Sequence, residues 1–485
     1  RNSSIEQDSF FEGSSRKRSR RFGGGDEYIA SSDEDDGPEN GRGEAEDVIE
    51  ELEETPAEKK KRLADAFLLS LREKERRREE EEEERDLAED DDERREEKEG
   101  KRDSLILKTL QQEQLEESGR VRRAIASRVQ KPETSEGSRL LVKHGQPVTG
   151  VALSEDDSVG FSGSKDGTIL RWDVNSGKAE KYHWPSEEVL KSHGLRTGQG
   201  FATKQKKNVL SLAVSSDGRY LATGGLDRHV HLWDVRTRQH AFPGHKGPVS
   251  CLTFRQGTSE LFSGSFDRSI KIWNAEDRTY ISTLFGHQSD VLTIDSLRKE
   301  RVLTVGRDRT MHLWKVPEES QLIFRAPASS LECCCFINND EFLSGSDDGS
   351  IEHWSVVRKK PIRIVRNAHA DFSQHKMGSN DDHPVVNGDI AAALFWINSV
   401  AVCRSSDLAA SGAGNGSICI WAIEEQSKAI RPLFELPQAG FVTSLAFAKS
   451  GKFLVAGVGK EPRLGRWGRI RDAMNGVAIH TLELS

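Results

Sequence analysis

From residue 139 onward the hydrophobic positions come in short runs separated by tight polar turns, and one kind of break recurs along the chain. Each time, a tryptophan stands six residues after an acid or a stand-in for one. Trp172, Trp233, Trp273, Trp314 and Trp354 follow Asp166, Asp227, Asp267, Asp308 and Asp348, whereas Trp421 follows Asn415 and Trp467 follows Glu461. A hydroxyl lies four residues before each of the first six turn residues: Ser162, Thr223, Ser263, Thr304, Ser344 and Ser411. A self-similar unit of about 40 residues, four short strands with a tryptophan near its end, cannot bury its apolar faces alone and stacks radially with its neighbours. The pattern predicts an all-β, seven-bladed propeller over residues 139–485. Its ring would be closed by a strand at Arg139–Lys143, with the run from Gly476 to Leu484 as the competing candidate. Closure by both chain ends would remove a free sheet edge.

The turn residues follow the logic of a WD repeat. A buried aspartate needs hydrogen-bond partners, and a histidine, a hydroxyl and an indole N–H can supply a connected set. The third copy offers His245, Ser263, Asp267 and Trp273; the first His144, Ser162, Asp166 and Trp172; the fourth His287, Thr304, Asp308 and Trp314. The same residue types make a hydrolase triad. Three copies at one repeat period instead mark them as structural tetrads, and no unrepeated acid–base constellation suggests an enzyme. Copies two and five have Gln205 and Pro327 near the histidine's place, so their blades are expected to be held less tightly. The seventh tryptophan, Trp467, reads as the core residue of its blade, available for stacking only if unburied.

Charge divides the chain. Residues 1–138 hold 28 Lys and Arg against 42 Asp and Glu, and the remainder 43 against 38, so the overall net charge of -9 places an acidic arm on a mildly basic body. Runs such as Glu79 to Glu84 cannot bury enough apolar surface to offset ordering entropy. Within the arm, Leu63, Phe67 and Leu71, then Val121, Ile125 and Val129, lie four apart. This predicts helices near 57–88 and 103–130 that dock on a partner rather than form a core. Removing residues 1–130 is accordingly expected to leave the melting temperature nearly unchanged. Arg16 to Arg21 is a compact basic cluster of the nuclear-import or nucleic-acid type, and Ser31 and Ser32 precede acids as in casein-kinase sites. No run of 18 apolar residues spans a membrane. The six cysteines, three of them consecutive at Cys333–Cys335, read as reduced core thiols, and no Cys/His spacing suggests zinc or another metal. The glycines around Asn415 occupy a propeller turn and lack the strand–helix context of a phosphate loop. No cofactor or small-molecule substrate is implied.

Specific function is expected where the repeat is irregular. The second copy carries about 20 extra residues, including Trp184, Lys204, Lys206 and Lys207, and the sixth about 26, near 366–395. In the seventh copy a short acidic turn gives way to a glycine-hinged basic one. Lys460, Arg463, Arg466, Arg469 and Arg471 fall within twelve positions. Arginine gives bidentate phosphate contacts, so this turn and the 204–207 cluster are the candidate RNA-binding residues.

Three strings carry a family resemblance: Phe453 to Gly459 continuing through Leu464-Gly465-Arg466-Trp467; Pro317-Glu318-Glu319-Ser320-Gln321-Leu322; and Glu53-Glu54-Thr55 continuing through Lys59-Lys60-Lys61-Arg62-Leu63-Ala64. Together they resemble the WD-repeat proteins that associate with U3 small nucleolar RNA. The resemblance implies a nucleolar, non-enzymatic scaffold of the small-subunit processome. It would bind the box B/C region of U3 RNA beside the kink-turn-binding box C/D core protein and support pre-rRNA cleavage in small-subunit biogenesis. Against this stands a cullin-type ubiquitin-ligase substrate receptor, because Trp233-Asp234-Val235-Arg236 resembles a Trp-Asp-x-Arg box. That tetrapeptide also arises wherever Trp-Asp closes a WD strand.

Overall fold

Seven four-stranded antiparallel sheets stand where the tryptophan spacing places them. In the third blade Val249–Phe254, Glu260–Ser265, Ser269–Asn274 and Thr279–Phe285 follow one another as strands a to d. Strands a touch their counterparts in both neighbouring blades all the way round, which makes a closed ring with a central channel. The computed structural model describes residues 107–108, 111, 115, 122–132, 138–182, 184, 208–234, 239–327, 330–369 and 395–484, all within the compact unit Glu89–Ser485. The expected helix near 57–88, the basic cluster at 16–21 and most of both insertions lie outside these residues.

Both candidates for the closing strand are used. The seventh blade takes Phe441–Phe447, Phe453–Gly459 and Gly476–Thr481 as strands a to c, and Ser138–Lys143 pairs with Gly476–Thr481 as its outer strand. The joint between blades seven and one is built like the others. Thr443 Oγ1 donates to Val148 O at 2.7 Å, as Thr149 Oγ1 donates to Val209 O at 2.8 Å between blades one and two. Glycines on strand b let the next blade approach: a Cβ on Gly264 would stand 2.8 Å from Val291 Cγ1, and one on Gly457 2.9 Å from Val148 Cγ1. At the same position a larger residue would push two blades apart.

Six tryptophans, from Trp172 to Trp421, are at most 2 % exposed. The tetrads of blades three and four are fully connected. In the third, His245 Nδ1 lies 3.0 Å from Asp267 Oδ2 and His245 Nε2 2.8 Å from Ser263 Oγ, to which Trp273 Nε1 donates at 2.8 Å. In the fourth, the matching distances from His287 to Asp308 and Thr304, and from Trp314 to Thr304, are 3.1, 2.8 and 2.9 Å. The first blade keeps only the His144–Ser162 bond, at 2.8 Å, because Asp166 is satisfied by Ser164 and Thr168 and the Trp172 N–H has no partner.

Blades two and five are not simply missing a partner. Asp227 pairs with His231, and Ser344 donates to Glu352 at 3.1 Å while accepting from Trp354 at 2.9 Å. His231 and Glu352 both stand two residues before their tryptophan, so strand c supplies a partner to Asp227 and to Ser344, while in blade two Thr223 Oγ1 and the Trp233 N–H stay buried without one. Burial pushes the Glu352 carboxyl up to about 7. The sixth blade holds a histidine that the repeat spacing misses: His369 Nε2 lies 2.8 Å from Ser411 Oγ and Nδ1 3.3 Å from Asn415 Oδ1. It sits at the start of the insertion rather than at its end.

The seventh blade departs from the sequence reading. Trp467 is not its core tryptophan, and Glu461 is not the acid of a tight turn. Strand pairing sets Leu454 opposite His480, where the third blade sets Leu261 opposite Trp273. His480 is therefore the residue in the tryptophan's place, 1 % exposed, with Nε2 3.0 Å from Gln438 Oε1. Burial lowers its pKa to about 4.

Part of the arm belongs to the propeller body. Residues 107, 108, 111 and 115 are helical, whereas 122–130, within the expected helix near 103–130, is bridge, turn and strand. Ile125 N and Ala126 N both donate to Asp407 Oδ1 at 2.8 Å, and Val129–Gln130 pairs with Glu483–Leu484. Ile125, Ala126 and Val129 are buried in a cluster with Leu408, Leu454 and Leu482. These contacts override the helical spacing. Burying an isoleucine or valine side chain contributes about 1.5–3 kcal/mol, so truncation through residue 130 is expected to lower stability rather than leave it unchanged.

Candidate nucleic-acid interface

The loop between strands b and c of the seventh blade, residues 460–475, replaces a turn that in the third blade needs only 266–268. Its base is tied by Ile470 N donating to Lys460 O at 2.9 Å and Lys460 N to Asn475 Oδ1 at 2.8 Å. Lys165 Nζ, from the equivalent turn of blade one, holds Gly465 O at 2.8 Å. The chain reverses at Gly465, whose φ of 90° is left-handed and favours glycine.

The basic residues of this loop do not act together. Arg463 turns into the central channel, where its Nη2 donates to the Ser250 carbonyl and, at 3.2 Å, to that of Leu292. Those carbonyls belong to the inner strands of blades three and four, on the far side of the ring. Its Nε is enclosed without a partner, and burial lowers its basicity. Arg463 thus anchors the loop and, against expectation, is not presented to a phosphate. On the neighbouring inner strand, burial pushes the Glu332 carboxyl up to about 7, with Arg307 and Arg463 opposing the shift. The Lys460 ammonium is half-buried and bonded to Arg471 O at 3.3 Å. Arg466, Arg469 and Arg471 face solvent. Arg466 has only a 3.6 Å contact with Glu461 and a side chain that is 79 % exposed.

The loop also carries Trp467, which is 39 % exposed. Its ring centroid lies 4.9 Å from that of Trp396, at the end of the blade-six insertion, and 5.7 Å from that of Phe441. Lys204, Lys206 and Lys207 lie outside the described residues. Trp184, read with them from the sequence, is docked instead: its Nε1 donates to Gly167 O at 2.6 Å and its ring meets His231 and Trp233 edge-on. His287, Asp308 and His312 form the one cluster of metal-ligand type among the described residues. Every ring nitrogen there is already hydrogen-bonded, His312 to Thr310 at 3.0 Å and to Gln321 at 2.7 Å. All six cysteines are free thiols, five of them buried and Cys335 half-buried. No helix among the described residues is long and apolar enough to cross a membrane.

The WD domain, G-beta repeat family matches at residues 137–173, 198–234, 236–274, 278–315, 318–355 and 392–422, which leaves the divergent seventh unit unmatched. A protein of Arabidopsis thaliana described as U3 snoRNP-associated protein-like EMB2271 is 58% identical over 485 residues, 100% of this chain and 96% of its own length. The human U3 small nucleolar RNA-interacting protein 2 is 37% identical over 431 residues, covering 88% and 82% of the two chains. Among solved structures, the RRP9 WD40 repeats share 38% identity at a TM-score of 0.62, over 73% of this chain and 99% of that one. With the propeller fold and these identities over most of both chains, the chain belongs to the WD-repeat family of U3 snoRNP-associated proteins.

Proposed function

We propose that this chain is an RNA-binding scaffold of the U3 small nucleolar ribonucleoprotein, acting in the nucleolus in the small-subunit processome and in pre-rRNA processing. The observation that carries the reading is the 460–475 loop. It is fixed by Arg463, Lys165 and Asn475, while Arg466, Arg469 and Arg471 face solvent. A preorganised basic loop binds a polyanion without first being ordered, which lowers the entropic cost of association. The printed name of one relative, U3 small nucleolar RNA-interacting protein 2, supports U3 RNA as the polyanion. The box B/C region beside the kink-turn-binding core protein is the register the family resemblance implies, with Lys204, Lys206 and Lys207 as a second contact. The tetrads serve the blades, so the scaffold needs no chemistry of its own.

The test is filter binding of the full chain to U3 box B/C RNA, with the core protein present, across a salt series. Arg466→Ala/Arg469→Ala is expected to weaken binding and reduce the log–log salt slope by about 0.7–0.9 per phosphate contact removed. A folded double variant with unchanged affinity and slope would show that this loop is not the clamp. Among the described residues no observation favours the ubiquitin-ligase reading: Trp233 and Asp234 are buried as a Trp-Asp pair closing a WD strand is, and Arg236 lies outside the described residues.

A further inference from the structure

Trp467 is a tryptophan that its repeat has released. Its six counterparts are 0–2 % exposed and packed between sheets, whereas it is 39 % exposed on a loop. The release is possible because His480 fills the vacated core position opposite Leu454 and bonds Gln438. The indole is nevertheless held firmly. Its only polar group, Nε1, donates to Leu464 O at 3.2 Å, so the ring has no unmet donor to satisfy. Phe441 meets it edge-on, with an interplanar angle of 82°, and Trp396 leans on it at 52°. Gly465 lets the chain fold back, since a Cβ there would press within 3.1 Å of Trp467 Cδ1. A large aromatic surface kept open to solvent costs hydrophobic stabilisation, and the flanking arginines surround it with positive charge.

We propose that Trp467 is a stacking platform for an unpaired nucleobase of bound RNA, with Arg466 and Arg469 taking the adjoining phosphates. The proposal rests on the RNA-binding reading above and adds a base contact to its phosphate contacts. Any base presents a π face, so the platform selects single-stranded or extruded nucleotides over paired ones rather than a particular sequence. Trp396 is a positioning residue, setting the angle of the Trp467 ring from the neighbouring blade.

The two kinds of contact separate in a salt series, because stacking releases no counterions. With the full chain, U3 box B/C RNA and the kink-turn-binding core protein, Trp467→Leu is expected to weaken binding between about fivefold and about 150-fold at every salt concentration. The salt slope should stay that of wild type. Trp467→Phe should recover much of the loss, because Leu and Phe both keep the apolar contact with Phe441 and only Phe keeps a π face. Ultraviolet crosslinking of the wild-type complex should place a nucleotide on Trp467. A folded Trp467→Leu protein with wild-type affinity overturns the platform, as does a Phe variant no better than Leu, or a loss confined to the salt slope. The phosphate clamp survives each of those outcomes. If Trp467→Leu binds RNA normally but loses a processome protein, the surface serves a protein and the stacking proposal fails. Wild-type protein that does not bind the RNA at all overturns both readings.

Discussion

Blades three and seven are built on the same strand order and solve the same packing problem with different residues. In blade three the acid, hydroxyl, histidine and tryptophan lock one another, and the turn between strands b and c is as short as a left-handed Arg268 allows. In blade seven the hydroxyl position is Ala456, the tryptophan position is His480 and the loop histidine is replaced by Gln438. A single His–Gln bond stands in for the tetrad. The turn, no longer constrained by an acid that must reach back to a histidine, is free to lengthen and to carry charge. Structural redundancy in the other blades leaves room for one blade to give up its lock, and that blade carries the long basic loop proposed above as the RNA contact.

The sharpest way to break this comparison is to truncate the two tryptophans. Trp273→Ala should cost about 3–5 kcal/mol, as expected for a fully buried aromatic. Trp467→Ala should cost about 1 kcal/mol or less in the same urea denaturation experiment, and equal losses would mean that Trp467 is a core residue after all. The next effect is pH-dependent. His480 is held neutral, with a pKa of about 4 against an ordinary 6.5. The unfolded chain therefore binds the proton more readily, and the contribution of this group is present above pH 6.5 and lost as pH falls toward 4. His480→Gln should shrink the stability lost between pH 7 and pH 4 by about 2–3 kcal/mol. His144, His312 and His369 shift in the same direction and will keep part of the slope. An unaltered pH profile would show that His480 is not buried neutral. Below the loss at Trp273 comes Asp267→Ala, at about 1–3 kcal/mol, because His245 loses its acceptor while Ser263 and Trp273 remain bonded. RNA affinity should fall only as far as folding does. A stable Asp267→Ala protein that had lost an activity would contradict the structural role of the tetrads.

What the sequence made legible was whatever repeats. The tryptophan spacing places six of the seven cores and the closed ring, while the two segments read as rivals for the closing strand turn out to pair with each other. It failed where a repeat borrowed a residue from elsewhere. His369 lies 42 residues before Ser411 instead of the 18 that separate His245 from Ser263, because the insertion begins just after it. Aligning the histidine to the start of the insertion would have found it. His231 and Glu352 were overlooked because partners were sought in the loop and not two residues before the tryptophan. Trp467 misled because a tryptophan six residues after an acid satisfied the pattern, although no hydroxyl preceded it. That missing hydroxyl was the available signal. Charge alone makes Arg463 look like a phosphate ligand, since nothing local announces that a side chain will reach across a channel to the opposite wall. The segment 122–130 showed helical spacing but takes its conformation from Asp407 and the strand at Glu483–Leu484, contacts between residues far apart in the chain.

The pairing of Ser138–Lys143 with Gly476–Thr481 also orders events during synthesis. The outer strand of the seventh blade leaves the ribosome hundreds of residues before the strand it must join. Blades one to six can each form as they emerge, but the ring stays open until the last blade is finished. The 460–475 loop hangs on that blade, and Arg463 finds its carbonyls only when the channel has walls on every side. A nascent chain interrupted late in translation would carry most of the fold and none of the completed loop, so on the reading proposed above the capacity to engage RNA would arise only once the whole propeller has been made.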